Sequence, residues 1–329
     1  MMPKGANQKL KLLYLLKILT EQTDENHKLT IKEIIEQLDG YGVSAERKSI
    51  YDDFEALRIY GIDVESSAQG KNTGYFVAER TFQLPELKLL VDAVQSSKFI
   101  TKKKSGELIH KLSGLASNYE KKQLDRQVYV SNRVKTPNEQ AYYNVDSIHN
   151  AIANNKRLKF KYYEWTAKKE KVFRHDGALY EISPWALTWD DENYYMIGYD
   201  AKSDIIKHFR VDKMQSVTVE EQARLGEKHF ENFDMAVYSK QAFGMFGGQI
   251  ENVTLECDNS LAGVIIDRFG DEIMLINDGD VFRVNVKVMV SHVFLSWVMG
   301  FGGKMKIVSP QGVVQKLKRL AKEILNNYK

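Results

Sequence analysis

A chain of 329 residues is longer than one ordinary domain, so two or three domains are expected. Hydrophobic residues make up 43 % of the chain, which excludes wholesale disorder. A net charge of only +3 requires any nucleic-acid site to be a local patch.

Two features indicate the compartment. The single cysteine, Cys257, has no partner for an intrachain disulfide and lies in an apolar run, so a packing role in a reducing compartment is expected. No signal peptide is recognisable, and the apolar stretch Leu10–Leu19 is too short and too interrupted by lysines to cross a bilayer. The prediction is a cytoplasmic protein without a membrane partner.

Residues 1–80 are predicted to form three helices and a hairpin. The first helix covers about Gln8–Glu21. The second opens with Thr30 and Glu33 in the spacing of a capping box, and Gly40 is a plausible stop. For the third, Ser44 is the expected cap and Gly61 the expected end.

The segment Ile62–Val77 completes this unit. Its apolar ends flank a run rich in Gly, Asn and Lys, which predicts two short strands with a flexible basic tip. Three helices followed by a hairpin are typical of a winged helix-turn-helix, whose third helix enters the major groove of DNA.

The third helix and the hairpin tip therefore supply the candidate DNA contacts. These are Ser44, Arg47, Lys48, Ser49, Tyr51, Lys71 and Asn72. Arg47 and Lys48 could instead be an ordinary solvated helix face. Glu46, Asp52 and Asp53 weaken the electrostatic case, and we expect Asp53 to orient an arginine or hold a neighbouring helix end.

Residues 81–136 are predicted to be a helical connector. Leu87, Leu90, Val91 and Val94 form one apolar stripe, and Leu108, Leu112 and Leu115 form another. The lysines at 102–104 are predicted to form a solvated turn between the two helices.

Residues 137–222 begin with a helix over about 146–154 and then become rich in strands. Leu158, Phe160 and Tyr162 alternate with lysines, as in a half-buried strand. Four more strands are predicted near 170–175, 179–189, 193–200 and 204–210, and five short strands indicate a small barrel.

Residues 223–329 are predicted to contain a β-α-β-β-α-β unit followed by one more helix, an order typical of a ferredoxin-like sandwich. Ser309 is expected to cap the last helix with Pro310 at its first position. The predicted fold class is thus multidomain α+β.

The third helix also resembles the recognition helix of WYL-domain transcription regulators. The similarity runs through Val43-Ser44-Ala45-Glu46-Arg47-Lys48-Ser49-Ile50-Tyr51-Asp52-Asp53-Phe54-Glu55-Ala56-Leu57 and on to Gly61-Ile62. Ser49 stands where that family usually has threonine, and Asp52 where arginine is common. The second difference removes an expected phosphate contact.

The rest of the chain is similar to the same family. Residues 193–200 resemble the strand that names it, with Tyr194-Tyr195-Met196 in place of Trp-Tyr-Leu. Residues 182–187 and 208–214 match two further segments, with Lys213 in place of arginine. The segments 243–248, 295–302 and 308–310 fit the family's C-terminal, WCX-type extension.

The resemblance implies an Sm-like barrel over 137–222 that senses a nucleotide or nucleic-acid fragment, followed by a WCX-type domain over 223–329. Aromatic rings stack on bases and cations hold phosphate. The candidate ligand-binding residues are Tyr162, Tyr194, Tyr195, His208, Arg210 and Lys213. Strand tyrosines also serve simple packing, and the sequence leaves open which of Tyr194 and Tyr195 faces inward.

The leading hypothesis is a homodimeric, ligand-responsive regulator that binds double-stranded DNA and is not an enzyme. The histidines have no paired-ligand spacing for a metal, and the glycine-rich segments near 243–248 and 300–303 lack a phosphate-loop pattern, so no cofactor is predicted. The alternatives are a nucleic-acid-processing enzyme or accessory protein that uses the winged helix for targeting, and a scaffold whose winged helix binds protein.

Overall fold

The computed structural model describes residues 8–69, 72–124, 135–231 and 234–328. The chain divides into two compact units, Met1–Pro137 and Asn138–Lys329.

The first unit begins with a helical head. A short 3₁₀ turn precedes the first helix. The elements that follow are α1 (Lys11–Gln22), β1 (Leu29–Thr30), α2 (Ile31–Gly40), α3 (Arg47–Tyr60), β2 (Val64–Gln69) and β3 (Asn72–Val77). The strands form one antiparallel sheet in the order β1-β3-β2.

Local sequence explains the second and third helices of the head. The predicted capping box is present: the Glu33 N–H donates to Thr30 Oγ1, and the Thr30 N–H donates to Glu33 Oε2 at 2.7 Å. Ile50, Phe54 and Leu57 are almost fully buried on one face of α3, as their spacing predicts. Gly61 ends α3 with φ +102°, a left-handed conformation that favours glycine.

The beginning of α3 differs from the prediction. Ser44 does not cap it; the helix starts at Arg47, and Glu46 occupies the cap position without a side-chain cap bond. Val43 is the reason, because it is fully buried and its N–H donates to the Leu38 carbonyl. That anchor keeps the following residues non-helical, which delays the first turn.

Three helices follow the head: α4 (Leu84–Ser96), α5 (Lys102–Ser113) and α6 (Asn118–Leu124). Leu87 and Val91 are buried as predicted, but Leu90 is 37 % exposed. The second predicted stripe was right only in part: Leu112 packs against the core of these helices, but Leu115 is 46 % exposed and the buried residue of α5 is Ile109.

The lysines at 102–104 do not form a turn between helices. They are the first turn of α5, whose cap is Thr101: its Oγ1 accepts a hydrogen bond from the Lys104 N–H. A hydroxyl cap outweighs the lysines' preference for a solvated loop, since long cations remain solvated on a helix surface.

Asp24 joins the head to the connector helices. Its Oδ2 accepts a 2.6 Å hydrogen bond from the Ser117 hydroxyl, and its Oδ1 lies 2.8 Å from His27 Nδ1. Burial opposes ionisation of Asp24, but the bonds from Ser117, His27 and the Asn26 N–H outweigh it, so its pKa is lowered. The His27 ring also stacks on Tyr119 with 3.6 Å between centroids.

The second unit begins with a helix and a curled antiparallel sheet. The elements are α7 (Ala141–Ala153), β4 (Lys156–Trp165), β5 (Lys171–Phe173), β6 (Tyr180–Asp190), β7 (Asn193–Asp200), β8 (Ile205–Arg210) and β9 (Met214–Ala223). The order is β5-β4-β6-β7-β8, and β9 pairs with β4. β9 was not predicted, because most of its residues are exposed and no apolar alternation marks it.

Aromatic rings fill the inside of this sheet. Phe160 and Phe209 are buried with ring centroids 5.1 Å apart, and Tyr162 and Tyr180 pack against Phe209. α7 lies on the strands, and its buried Asn144 donates to the Met214 carbonyl at 2.9 Å.

A second sheet and four helices complete the unit. The elements are α8 (Met235–Gln241), β10 (Gln249–Asp258), α9 (Ala262–Phe269), β11 (Leu275–Asp278), β12 (Val281–Val290), α10 (His292–Met299), β13 (Met305–Ser309) and α11 (Gln311–Asn326). The strand order is β11-β12-β10-β13 with antiparallel neighbours. The predicted β-α-β-β-α-β order is therefore present.

The start of α11 was predicted wrongly. Ser309 is the last residue of β13, and Pro310 holds the cap position outside the helix. Ser309 pairs with Thr254 across the sheet, and its hydroxyl donates to Thr254 Oγ1 at 2.8 Å. This ladder contact keeps Ser309 in the strand.

One small apolar cluster joins the two sheets of this unit. Ala242, Met245 and Met289 are buried together, and Tyr195 of β7 and Tyr238 of α8 pack against them. The segment 235–246 therefore covers part of the curled sheet.

Candidate nucleic-acid interface and effector face

The first turn of α3 presents two cations to solvent. Arg47 is the first residue of the helix, and its Nε and Nη2 both donate to the Tyr51 hydroxyl at 3.2 Å. Lys48 is exposed and makes no ion pair or hydrogen bond with any residue the structure describes. We call Arg47, Lys48 and Tyr51 the α3 edge.

The nearby carboxylates mostly face other partners. Asp53 Oδ2 lies 2.6 Å from Lys11 Nζ, at the start of α1. Glu55 pairs with Arg58 at 3.1 Å. Asp53 therefore holds a neighbouring helix end, as one of the expectations had it. Glu46 and Asp52 are exposed beside the α3 edge, and Glu55 is exposed but paired with Arg58.

Tyr51 receives support from the hairpin. A hydrogen bond from Tyr75 is the largest cause that lowers the pKa of Tyr51, and the bond from Arg47 adds to it. Burial raises the pKa of Tyr75 itself. Tyr51 thus connects the exposed arginine to the buried side of β3, so the arginine is oriented before any ligand binds.

Ser44 and Ser49 lie differently from each other. Ser44 is exposed just before the helix. Ser49 is half-buried, accepts a 2.9 Å hydrogen bond from Lys11 Nζ and donates to the Glu46 carbonyl at 3.0 Å. Its hydroxyl is engaged within the head.

The hairpin carries the remaining candidates for DNA contact. Asn72 is exposed at the start of β3 and faces Gln69 across the ladder. Lys71 lies outside the described residues. At the root of the hairpin, Arg58 donates from Nε and Nη2 to the Val64 carbonyl at 2.9 and 2.7 Å, so β2 is fixed to α3.

In the second unit, three candidate ligand residues share one face of the curled sheet. Tyr195 pairs with Arg210 across β7 and β8, and His208 lies two residues before Arg210. We call Tyr195, His208 and Arg210 the effector face. Tyr194 points to the opposite side, where its ring meets Trp189.

Arg210 is held by neighbouring side chains. Its Nε and Nη2 donate to the two carboxylate oxygens of Asp212 at 3.0 and 2.9 Å, and Nη2 also donates to Asn193 Oδ1 at 2.8 Å. An anion that binds Arg210 would have to compete with this bidentate carboxylate.

His208 is covered by α8. Its Nε2 lies 2.8 Å from the Tyr238 hydroxyl, and burial lowers its pKa to about 4. Burial also raises the pKa of Tyr195 and brings that of Tyr238 to about 12. Both tyrosines and the histidine are therefore neutral near pH 7.

Tyr162 and Lys213 are not on the effector face. Tyr162 is 7 % exposed inside the sheet, and its hydroxyl accepts a 3.1 Å hydrogen bond from the Arg210 N–H. Its burial raises its pKa to about 12. Lys213 is half-buried in the short 3₁₀ helix after β8.

Sequence reasoning missed several partners that shape these sites. They are Lys11, Tyr75, Asn193, Asp212 and Tyr238. Only Asp212 carried a readable signal, because an acid two residues after an arginine can fold back on it. The others come from distant segments.

The described residues offer neither a metal site nor a membrane-spanning helix. In residues 8–69, 72–124, 135–231 and 234–328, no group of three or more His, Cys, Asp or Glu side chains is arranged to hold a metal ion. Across the same ranges, no helix combines the length and the apolar character needed to span a bilayer.

Comparison with known proteins identifies two domains. The model of the WYL domain family matches residues 143–219, which cover most of α7 and the curled sheet. The model of the WCX domain family matches residues 249–325, from β10 to α11. No curated protein matches the chain.

One solved structure to which the chain is similar is proteasome accessory factor B/C (PafBC) of Arthrobacter aurescens. The identity is 17 %, and the match covers 100 % of this chain and 51 % of that one, with a TM-score of 0.29. The present chain thus spans about half the length of that protein. A TM-score this low does not establish a common overall fold.

Proposed function

Because this chain belongs to the family of WYL-domain proteins, we propose that it is a transcription regulator that binds double-stranded DNA through its N-terminal unit. A WYL domain followed by a WCX domain is an arrangement typical of DNA-binding regulators. The protein acts by binding and carries out no catalysis.

The observation that carries this proposal is the α3 edge. Arg47 and Lys48 stand in solvent at the first turn of a helix that follows α2 after a short connection. The hairpin of β2 and β3 is fixed to the same helix through Arg58. We interpret the head as a winged helix-turn-helix, in which such an edge reaches base edges and phosphates in the major groove.

The acidic residues of α3 repel DNA phosphates less than the sequence suggests. Asp53 is paired with Lys11 on the inner side of α3, with only 19 % of its side chain exposed. Its charge is therefore compensated within the head. Tyr51 holds the Arg47 guanidinium through two hydrogen bonds, which reduces the entropy lost when the arginine contacts DNA.

We further propose that the protein acts as a homodimer on a palindromic site. A single recognition helix contacts only a few base pairs, and two related by a twofold axis supply the affinity and specificity that a genome requires.

We also propose that the curled sheet is an Sm-like barrel that senses a nucleotide or a nucleic-acid fragment. Of the candidates that lie off the effector face, Tyr194 and Lys213 are half-buried, whereas Tyr162 is buried inside the sheet. Binding at Tyr195, His208 or Arg210 would require the segment 235–246 or Asp212 to move. Effector binding would then shift the population between two arrangements of the protein.

To test DNA binding, the full chain is used to select duplexes from a random pool. Its affinity for the enriched duplexes is then measured by gel shift. Arg47→Ala plus Lys48→Ala should weaken binding by about 100-fold, from the loss of two charge-assisted contacts. The matched control is Lys102→Ala plus Lys103→Ala. It removes the same two charges from the same positions of the first turn of α5 and should leave the affinity within about threefold.

A salt titration completes the test. Affinity should fall steeply with salt, and the α3-edge variant should show a slope smaller by about 2, since each lost phosphate contact removes about 0.9. Equal binding by both double variants and the wild type would refute the assignment of α3. Failure to enrich any duplex at low salt would refute DNA binding altogether.

Effector sensing has its own assay. Short single-stranded oligonucleotides and nucleoside monophosphates are added to the gel shift, and an effector should change the operator affinity by about tenfold or more. Lys213→Ala should remove that response while leaving DNA affinity without effector intact. Lys202→Ala, which alters an exposed lysine of the β7–β8 turn, is the control and should respond like the wild type.

A further inference from the structure

A third candidate binding site, distinct from the α3 edge and the effector face, lies in the C-terminal part of the second unit. A groove of about 420 Å³ opens between the start of α10 and the outer part of α11. Its volume falls within the range of about 300–1,000 Å³ that small-molecule sites occupy.

One wall of the groove is apolar. Val290, Leu295 and Leu320 line it, and the first two are 9 % and 6 % exposed within the domain core. Such a wall is fixed by packing behind it, so it offers a preformed surface to the apolar part of a ligand.

Two cations of α11 also line the groove. Lys316 is half-buried and makes no hydrogen bond or ion pair within residues 8–69, 72–124, 135–231 and 234–328. Arg319 Nε lies 3.9 Å from Glu323 Oε1, and these side chains are 76 % and 65 % exposed, so the pair is loose and solvated. Glu323 also lines the groove, so its two cations outnumber one carboxylate and the excess of positive charge is a single unit.

A buried hydroxyl lines the same groove. Ser291 is only 8 % exposed, and its Oγ accepts a 3.3 Å hydrogen bond from the Phe294 N–H. Its proton has no acceptor on any residue that the structure describes. A buried donor without an acceptor is unfavourable unless a ligand or solvent accepts from it. The hydroxyl lies at the N-terminus of α10, which adds a weak preference for anions.

We propose that this groove binds a small phosphate monoester with an apolar organic part. The phosphate lies against Lys316 and Arg319 and accepts a hydrogen bond from the Ser291 hydroxyl, and the organic part lies on Leu295 and Leu320. A doubly charged phosphate fits two cations and a hydroxyl donor better than a singly charged carboxylate does, because it has more acceptor oxygens.

Other cations of α11 distinguish the groove from a basic surface that attracts anions by charge alone. Lys318 and Lys322 of α11 are exposed and do not line the groove. They carry the same charge on the same helix but are not part of the groove lining that contains the apolar side chains and Ser291. A polyanion attracted by charge alone would use both pairs of cations, whereas a ligand seated in the groove uses only Lys316 and Arg319.

The test uses phenyl phosphate and the full chain in ligand-observed saturation-transfer NMR, which detects weak binding to a large protein. The wild type should transfer saturation to the phenyl protons, and inorganic phosphate should compete. Phenol, which lacks the phosphate, and benzoate, which carries a single charge, should each bind more weakly by about tenfold.

Two double variants locate the site. Lys316→Ala plus Arg319→Ala should weaken phenyl phosphate binding by about tenfold or more. Lys318→Ala plus Lys322→Ala, with the same change in charge, should bind as the wild type does. Leu320→Gln is a third variant; it keeps every charge and should weaken the binding of phenyl phosphate more than that of inorganic phosphate. Thermal unfolding of each variant shows that the domain is folded.

Absence of saturation transfer to the wild type, equal loss in the two charge variants, or phenol binding as well as phenyl phosphate would each overturn the proposal. The proposal does not rest on DNA binding. The Lys316/Arg319 variant should keep wild-type gel-shift affinity, and the Arg47/Lys48 variant should keep phenyl phosphate binding, so failure of either proposal is seen separately.

Discussion

Lys11 Nζ lies 2.6 Å from Asp53 Oδ2, and this pair joins the first residue of α1 to the inner side of α3. The side chains are only 14 % and 19 % exposed, so water screens the interaction weakly. Lys11 also donates to Ser49 Oγ at 2.9 Å. The orientation of the α3 edge therefore depends on a contact from the first helix.

Removing one partner of this pair should destabilise the head. Asp53→Ala leaves Lys11 without its carboxylate and should lower the free energy of unfolding by about 1–3 kcal/mol. Thermal unfolding of the full chain measures the change. Asp52→Ala, which removes the exposed neighbouring acid, should cost no more than about 0.5 kcal/mol. If the two variants melt alike, the pair contributes nothing.

The pKa of His208 predicts a pH dependence of stability. Its value of about 4 lies below the ordinary 6.5, so between these values the unfolded chain takes up a proton that the folded chain does not. Stability should therefore rise with pH from about 4 to about 6.5 and be independent of His208 above that range. The full difference corresponds to roughly 3 kcal/mol.

His208→Gln tests this sign, because glutamine keeps a polar partner for Tyr238 but does not titrate. Melting temperatures of the variant and the wild type are compared from pH 4 to pH 8, and their difference should change through the interval and level off above it. His149→Gln, which alters an exposed histidine, should follow the wild type. Parallel curves for all three proteins would contradict the assignment.

Cys257 should be unreactive in the folded protein. The side chain is fully buried in β10, and burial raises the pKa of its thiol to about 11, so almost no thiolate exists near pH 8. An aromatic disulfide reagent followed by absorbance should show reaction only after denaturation. Since the chain has a single cysteine, the signal needs no assignment. Rapid reaction of the native protein would show that β10 opens.

Two glycines should respond in opposite directions to the same substitution. Gly226 has φ +87°, and a Cβ there would lie 2.3 Å from Tyr199 Cγ, so Gly226→Ala should destabilise the second unit by about 2–4 kcal/mol. Gly263 lies in α9 with open space at its Cβ position, so Gly263→Ala should stabilise by about 0.5–1 kcal/mol. Urea unfolding of both variants measures the two changes in stability. If Gly226→Ala left the free energy of unfolding unchanged, the Tyr199 ring would have to move aside at little cost.

The sequence was informative where local chemistry decides the structure. The capping box of Thr30 and Glu33, the buried stripe of α3 and the left-handed stop at Gly61 are all set by residues within one or two turns. The alternation in β4 likewise predicts a half-buried strand, and it is found. The domain resemblance agrees with the two family models that match the chain.

The sequence was less informative where contacts with distant segments decide the bounds of an element or the burial of a side chain. The start of α3 depends on Val43 entering the core, and the end of β13 depends on Thr254 across the sheet. Amphipathic patterns also leave the choice of neighbours open, so Leu115 was expected inside and is exposed.

For the candidate sites, local sequence identified the residue types but not their partners. Tyr195 and His208 were expected to line an open pocket, and the structure shows them against Tyr238 and Met289, 30 or more residues away. Arg210 similarly pairs with Asp212, and only 34 % of its side chain is exposed. Their role in effector binding stays a prediction.

The apolar cluster of Tyr195, Ala242, Met245 and Met289 has a practical consequence for anyone who dissects the chain. A fragment ending at residue 223 would carry the whole curled sheet but expose Tyr195 to solvent. A fragment starting at residue 249 would expose Met289 in the same way. Each fragment would expose an apolar surface that is complementary to the other. Fragments expressed separately should therefore aggregate, or associate with each other when they are mixed.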